Sequence, residues 1–173
     1  PIYAEAEKQD LAIAVHIANG SPDALRLMTS SYDRSGGFMK FRVPTVIECE
    51  VLMMSEVPER YPSLRWGFVE ASANWVPWIV REVRQRFVAR GMGEAPANIL
   101  KHFNVYVTCE VSDDIPYVIK HGGDENLLIG TDYGHADLSS TMEALSILRG
   151  MTDVSDVSKA RILYENPKQL YGI

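Results

Sequence analysis

The sequence predicts an α/β protein that forms half of a (β/α) barrel. Four short apolar segments alternate with helical ones, which is the pattern of a parallel sheet built from right-handed β-helix-β units. A barrel carries its functional residues at the C-terminal ends of its strands, and polar residues stand at those ends here: His16, Glu70, Glu110 and Asp132. The chain has 173 residues, whereas a complete eightfold barrel takes about 250. Because no internal repeat is visible, we expect four units and not eight.

The first unit is predicted from a helical segment at residues 2–8 and an apolar run at residues 11–18, which suits a strand buried on both faces. Residues 19–43 are rich in Ser, Gly and Arg, so we expect a loop-rich insertion with one short helix in an otherwise single partial barrel domain, residues 1–173. A helix follows at about residues 44–57, where Pro58 closes it.

The second and third units each join a strand to a helix. Residues 64–71 are mostly apolar, and residues 103–110 are rich in β-branched and aromatic types, as strands are. The apolar spacing of residues 75–90 predicts an amphipathic helix, and residues 113–121 predict a shorter one.

The fourth unit is predicted from a strand at residues 126–131 and a helix at residues 139–149. Ser139, Ser140 or Thr141 would cap this helix, because a short hydroxyl side chain can accept a hydrogen bond from the first turn. A last helical stretch is expected at residues 155–171.

A doubly wound sheet is the alternative architecture, because it also alternates strands with helices. Such a sheet usually has a Gly-rich phosphate turn after its first strand. The first predicted strand is followed by Asn19-Gly20-Ser21, which lacks the Gly-x-Gly-x-x-Gly pattern. Nucleotide binding is therefore disfavoured and the half barrel is preferred.

Composition and charge argue against several classes of function. The net charge of -6 with no basic stripe disfavours a nucleic-acid partner, and no segment has the apolar length of a membrane span. The first residues lack a signal pattern, and Pro1 already lies in a helical segment, so we expect a cytoplasmic protein whose sequence begins inside a longer one. Cys49 and Cys109 are far apart and fit buried, reduced thiols.

Three residues at predicted strand ends could carry chemistry. His16 interrupts an apolar strand and could bind a divalent metal, although a lone strand histidine is more often a core residue. Asp132 could bind a metal and take a proton from water, or it could belong to a turn or a helix cap. Glu70 ends an apolar strand and needs a cationic partner, which fits a structural ion pair as well as a functional group.

Other polar and aromatic residues near these strand ends could line a pocket. His135 and Asp137 lie in the loop after the fourth strand, where solvated turn residues are also common. Trp75 could form a pocket wall, although helix packing explains it equally well. Glu110 could face the mouth of the sheet, and the pair Asp113-Asp114 could cap the next helix.

Four segments, in the same order along the chain, carry a resemblance to a known family. They are residues 1–16, residues 61–75 with Glu70 and Trp75, residues 128–137 with Asp132 and His135, and residues 161–172. Together they resemble the amidohydrolase-related superfamily, in particular its branch with aminocarboxymuconate-semialdehyde decarboxylase and similar metal-dependent enzymes. The resemblance covers nearly the whole chain. It implies a TIM-type (β/α)₈ barrel of which this chain supplies the C-terminal half, strands five to eight.

The resemblance also implies roles for individual residues. His16 is similar to the metal-binding histidine of strand five, and Asp132 to the strand-eight aspartate that binds metal and activates water or substrate. Glu70 stands where many members have a histidine, and it resembles a subgroup with a Glu-Ala-x-x-x-Trp pattern; it joins Asp132 as an implied catalytic residue. Trp75 and His135 are implied substrate-binding residues. The family's strand-one ligands have no counterpart in this chain.

The implied function is that of a metal-dependent hydrolase or decarboxylase that acts on a small carboxylate or cyclic substrate, with a divalent metal, most often zinc. Because part of the ligand set is missing, we expect little activity from this chain by itself. An uncovered half barrel also predicts a partner, either an N-terminal half or a second copy. The alternative is a non-catalytic half-barrel scaffold or interaction protein.

Overall fold

The described part of the chain forms one parallel sheet of four strands. The computed structural model describes residues 2–18, 20–28, 37–136 and 140–173. The strands are β1 (Ala12–His16), β2 (Arg65–Val69), β3 (Val105–Cys109) and β4 (Leu127–Ile129). They lie side by side in sequence order, and all three neighbouring pairs are parallel. Parallel neighbours require crossover connections, so the predicted alternation of strands and helices is confirmed.

Helices connect the strands and follow the last one. Within the described ranges they are α1 (Ile2–Lys8), α2 (Pro22–Met28), α3 (Val43–Met53), α4 (Val57–Arg60), α5 (Val76–Ala89), α6 (Ile99–His102), α7 (Ile115–Gly122), α8 (Ala144–Gly150), α9 (Asp156–Ala160) and α10 (Asn166–Tyr171). Two π-helical turns, Phe38–Arg42 and Arg161–Glu165, lead into α3 and join α9 to α10. None of the helices in these ranges is long and apolar enough to cross a membrane.

The main hydrophobic core contains alternate residues of the strands and buried residues of the helices. Trp66 and Phe68 of β2 and Val105 and Val107 of β3 are buried there with helical side chains such as Val83. The period of two follows from the pleat, which sends successive side chains to opposite faces. Burial on both faces of β2 and β3 explains why these strands are nearly continuous apolar runs.

The other face of the sheet is the inner face of the half barrel. Ala12, Gly67, Tyr106 and Leu128 line a cavity of about 220 Å³ on this side, together with Leu170 of α10. A Cβ atom at residue 67 would lie 3.2 Å from the Cδ2 atom of Leu170, so glycine there lets α10 pack closely. The architecture is therefore a half barrel, as the sequence predicted.

The boundaries of several helices differ from the prediction. Helix α3 ends at Met53, with Met54 as its C-cap. Pro58 does not close that helix but lies in the first turn of α4, where a proline needs no amide hydrogen. Helix α8 begins at Ala144, and no side chain caps it. The Thr141 amide instead donates to the Thr131 carbonyl oxygen, and the Thr141 carbonyl oxygen accepts from the Ala144 amide, which forms a turn before the helix. Ser139 lies outside the described residues.

The segment predicted as a loop-rich insertion, residues 19–43, is described only in part. Helix α2 and the turn Phe38–Arg42 belong to it, whereas Asn19 and residues 29–36 lie outside the described residues. The short helix expected in this segment is present as α2. The domain limits themselves remain a prediction.

Both cysteines are buried and unpaired with each other, as expected for reduced thiols. Cys49 of α3 and Cys109 of β3 are free in the described structure and belong to the main core. Burial raises the pKa of both thiols well above the ordinary value. They act as small apolar side chains and not as nucleophiles.

Asn166 fastens the C-terminal helices to the sheet. Its side-chain amide donates to the carbonyl oxygens of Asp124 and Leu127, both at 2.7 Å, and the residue is 1% exposed. We expect Asn166→Ala to lower the free energy of unfolding by about 2 kcal/mol, because two carbonyl groups lose their buried partner. Urea unfolding followed by circular dichroism measures the change. Lys168→Ala, an exposed position of the same helix, is the matched control, and equal losses in both variants would contradict this role.

Candidate active site

The residues predicted at the strand ends meet in one place. His16, Glu70, Glu110 and Asp132 line a single cavity of about 110 Å³ at the C-terminal edge of the sheet, with Thr108 and Gly130 among its other walls. This is the edge at which a barrel carries its chemistry. The structure therefore places these four residues together as the sequence predicted.

Glu70 reaches this cavity through an unusual backbone conformation. It follows Trp66 and Phe68 at two-residue spacing, and a continued strand would direct it into the helix layer with them. Its φ of 65° is left-handed, and its amide nitrogen donates to the Thr108 hydroxyl oxygen at 3.0 Å. Asp132 is also left-handed, with φ of 49°. Such conformations in residues other than glycine are strained and concentrate at functional sites.

His16 and Glu70 form a close pair. The His16 Nε2 atom lies 2.7 Å from the Glu70 Oε2 atom, and the His16 Nδ1 atom lies 2.8 Å from the Ile17 carbonyl oxygen. A carbonyl oxygen can only accept, so Nδ1 carries hydrogen and Nε2 is the nitrogen turned toward Glu70. The basic side chain that faces the Glu70 carboxylate is thus a histidine.

Asp132 and His135 form a second pair beside the first. The His135 Nδ1 atom lies 2.8 and 3.0 Å from the two carboxylate oxygens of Asp132, and 3.6 Å from the Glu70 Oε1 atom. The side chains of Glu70 and Asp132 are 11% and 15% exposed, whereas His135 is 54% exposed. His135 therefore lies on the solvent side of two largely buried carboxylates. Asp137, which was expected in the same loop, lies outside the described residues.

The loops that carry these side chains are joined by Asp113. This buried carboxylate accepts hydrogen bonds from the Ser72 hydroxyl and from the backbone amides of Ala73 and Glu110, the latter two at 2.8 Å. One residue thus connects the loop after β2 to the loop after β3. The neighbouring Asp114 caps α7, because its side chain accepts from the Tyr117 amide at 3.1 Å. Of the two aspartates predicted as caps of this helix, Asp114 is therefore the one whose side chain caps it.

Glu110 faces the cavity but is held by an arginine. Both of its carboxylate oxygens accept from the Arg42 guanidinium, at 2.9 and 3.0 Å. Arg42, Thr108 and Asp113 were not singled out as site residues from the sequence. A pair that is 68 positions apart leaves no local pattern, and only the strand-end position of Glu110 indicated a role.

Trp75 does not share the cavity of Glu70 and Asp132. Its indole nitrogen donates to the Ala71 carbonyl oxygen at 3.2 Å, and its ring lines a larger groove of about 840 Å³ between α3 and α5, with Trp78 and Phe38. The groove and the cavity approach each other at the loop after β2, because Ala71 and the following residues line the groove. A direct contact between Trp75 and a substrate held at Asp132 remains a prediction.

The cluster offers suitable donors for a divalent metal. One atom each of Glu70, Asp132 and His135 lies within 4.8 Å of the others. Carboxylate oxygens and an imidazole nitrogen suit zinc and manganese alike. The donor chemistry therefore fits a metal at this edge of the sheet.

Comparisons with known proteins place the chain among amidohydrolases. The family model described as amidohydrolase matches residues 1–173. None of the curated proteins matches the chain. Many solved structures do match.

Three solved structures show the extent of the similarity. A Staphylococcus aureus protein assigned as an amidohydrolase is 20% identical, with a TM-score of 0.76 over 99% of this chain and 58% of that one. The 5-carboxyvanillate decarboxylase of Sphingomonas paucimobilis is 18% identical, with a TM-score of 0.72 over 100% and 52%. The dihydroxybenzoic acid decarboxylase of Polaromonas sp. JS666, which holds manganese and the inhibitor 2-nitroresorcinol, is 18% identical, with a TM-score of 0.70 over 99% and 53%. The chain spans about half the length of these proteins.

Proposed function

The chain belongs to the amidohydrolase family, and from that membership we propose that it supplies one side of the active site of a metal-dependent hydrolase or decarboxylase. The observation that carries this proposal is the convergence of His16, Glu70 and Asp132 at one edge of the sheet. In barrel enzymes that use a metal, carboxylate and imidazole side chains at the C-terminal ends of the strands commonly bind the metal and transfer protons. The amidohydrolase family model supports hydrolysis, and the structural similarity to two decarboxylases supports decarboxylation.

The proposed roles follow the positions of the side chains. A divalent metal, when bound, supplies Lewis-acid activation of water or of the substrate. Asp132 and His16 are the residues of this chain that would hold the metal, and the Asp132 carboxylate would also accept a proton. Glu70 lies between His16 and His135 and can pass a proton between the cavity and either imidazole. Zinc is the metal we propose, with manganese supported by one similar structure.

The substrate is proposed to be a small carboxylate or a cyclic molecule. His135, on the open side of the cavity, would contact it directly, and Trp75 would contact a part of it that extends toward the larger groove. Residues from outside this chain would complete the pocket, because the inner face of the half barrel needs a covering partner. We propose that an N-terminal half or a second copy provides it, and that the chain by itself is nearly inactive.

Metal removal tests the proposed function. We expect the full-length protein to contain about one divalent metal per chain, to lose turnover of small carboxylates and cyclic substrates after dialysis against a chelator, and to regain it with Zn²⁺ or Mn²⁺. Elemental analysis and product formation measure the two quantities. A protein that contains no metal and turns over none of these substrates would favour the non-catalytic scaffold instead.

A further inference from the structure

We propose that Phe41 is a specificity-determining residue, whose ring packs against the cyclic part of the substrate, and that the ion pair of Arg42 with Glu110 positions it. This inference rests on the proposed function, which brings a small carboxylate or a cyclic molecule to this edge of the sheet. It selects between the two, because an aromatic wall favours a substrate that carries a ring.

Two cavities adjoin at the C-terminal edge of the sheet. The inner cavity, of about 110 Å³, contains the Asp132 carboxylate, and the outer cavity, of about 370 Å³, is lined by Phe41. His16 and Glu70 line both cavities, so the two meet at these side chains. The outer cavity lies on the solvent side, because the side chains of His16 and His135 are 55% and 54% exposed. A substrate therefore meets the outer cavity before it reaches Asp132.

The two cavities differ in the chemistry of their walls. Carboxylates reach the inner cavity, which suits a metal and the polar reacting group of a substrate. The outer cavity adds the apolar side chains of Ile17, Phe41 and Ala136, of which Phe41 is the largest. The inner cavity of about 110 Å³ is also smaller than the roughly 150 Å³ that accommodate a benzene ring. The reacting group therefore fits the inner cavity, and a ring fits the outer cavity beside Phe41.

The pair of Arg42 and Glu110 fastens the residue next to Phe41. The Arg42 Nη2 atom donates to both Glu110 carboxylate oxygens, at 2.9 and 3.0 Å, and the Glu110 side chain is 13% exposed at the inner cavity. A charge-assisted pair with a largely buried carboxylate is stronger than one in water. The Thr45 hydroxyl also donates to the Phe41 carbonyl oxygen at 3.3 Å. The turn that carries Phe41 is thus tied to the wall of the inner cavity.

Two carboxylates with a fluorine label test the preference for a ring. The first, para-fluorobenzoate, carries a ring, whereas fluoroacetate has the same charge and no ring. Fluorine NMR titration of the metal-loaded full-length protein gives the dissociation constant of each probe. We expect para-fluorobenzoate to bind at least about 10-fold more tightly than fluoroacetate, because only its ring can pack against Phe41.

The variant F41A removes the aromatic wall, and F38A is its matched control. Phe38 belongs to the same turn but is 58% exposed and lines the groove between α3 and α5. We expect F41A to weaken para-fluorobenzoate binding by about 10-fold and fluoroacetate binding by less than about 2-fold, and F38A to change neither. Circular dichroism verifies folding. F41L, which keeps an apolar side chain without the ring, should give an intermediate loss and replaces F41A if that variant does not fold.

The variant R42Q tests the positioning role, because it removes the charge that holds Glu110. We expect R42Q to weaken para-fluorobenzoate binding by about 3-fold, to leave fluoroacetate binding unchanged, and to add no further loss in the double variant F41A/R42Q. The loss is not additive because Arg42 acts only through Phe41. A direct contact of Arg42 with the probe carboxylate would instead weaken both probes and add to the loss in F41A.

Three outcomes would overturn the proposal. The first is wild-type protein that binds para-fluorobenzoate no more tightly than fluoroacetate. The second is an F41A variant that binds para-fluorobenzoate as wild type does, or that loses affinity for both probes equally. The third is an additive loss in F41A/R42Q, which would remove Arg42 as a positioning residue. Turnover is not measured here, so a protein that shows the expected binding but catalyses nothing would overturn the proposed function alone.

Discussion

Asp132→Asn should lower the turnover of the full-length protein by about 10²- to 10⁴-fold, the range that general acid-base groups contribute. Asn is nearly isosteric with Asp and tolerates the left-handed conformation at this position, so the fold should remain intact. The amide cannot accept a proton as the carboxylate does, and it is a poorer metal ligand. Steady-state kinetics with a substrate found in the metal-removal experiment give kcat and kcat/KM.

Asp10→Asn is the matched control for this variant. Asp10 is also an aspartate with positive φ, at 55°, but it precedes β1 at the opposite end of the sheet, where it pairs with Arg65 on the surface. Its loss should cost less than about 1 kcal/mol of stability and leave turnover unchanged. Equal turnover in Asp132→Asn and Asp10→Asn would remove Asp132 from the catalytic machinery.

Asp113→Ala should have the largest effect on stability, a loss of about 3 to 5 kcal/mol in the free energy of unfolding. Asp113 is 7% exposed, and its removal leaves the Ser72 hydroxyl and the amides of Ala73 and Glu110 without their buried acceptor. Each such unsatisfied group costs about 1 to 3 kcal/mol. Urea unfolding measures the loss.

The adjacent Asp114 provides the control for the buried carboxylate. Asp114→Ala removes a helix cap at the surface and should cost about 1 kcal/mol. If Asp113→Ala costs no more than Asp114→Ala, Asp113 does not connect the two loops as the hydrogen bonds indicate. A large loss in Asp113→Ala alone would show that the edge carrying Glu70 and Glu110 depends on this one side chain.

The strands of the half barrel could be predicted because each one corresponds to a short apolar segment of the sequence. Residues 64–71 and 103–110 enclose β2 and β3, and the polar residues that follow them lie at the cavity. Helix limits follow less directly from local sequence. Pro58 fits the first turn of a helix as well as the end of one, and the choice depends on the break at Met54, which no local pattern marks.

The amino-acid sequence by itself determined the four parallel strands, their crossover helices and the edge at which His16, Glu70 and Asp132 gather, because hydrophobic periodicity and strand direction fix these features locally. Tertiary structure alone decided which side chains touch. The left-handed turn reverses the direction that strand periodicity gives Glu70, and Asp113 and Arg42 find partners 41 and 68 positions away. Contacts at such separations depend on the packing of whole elements, so they are set only when the sheet and its helices are assembled.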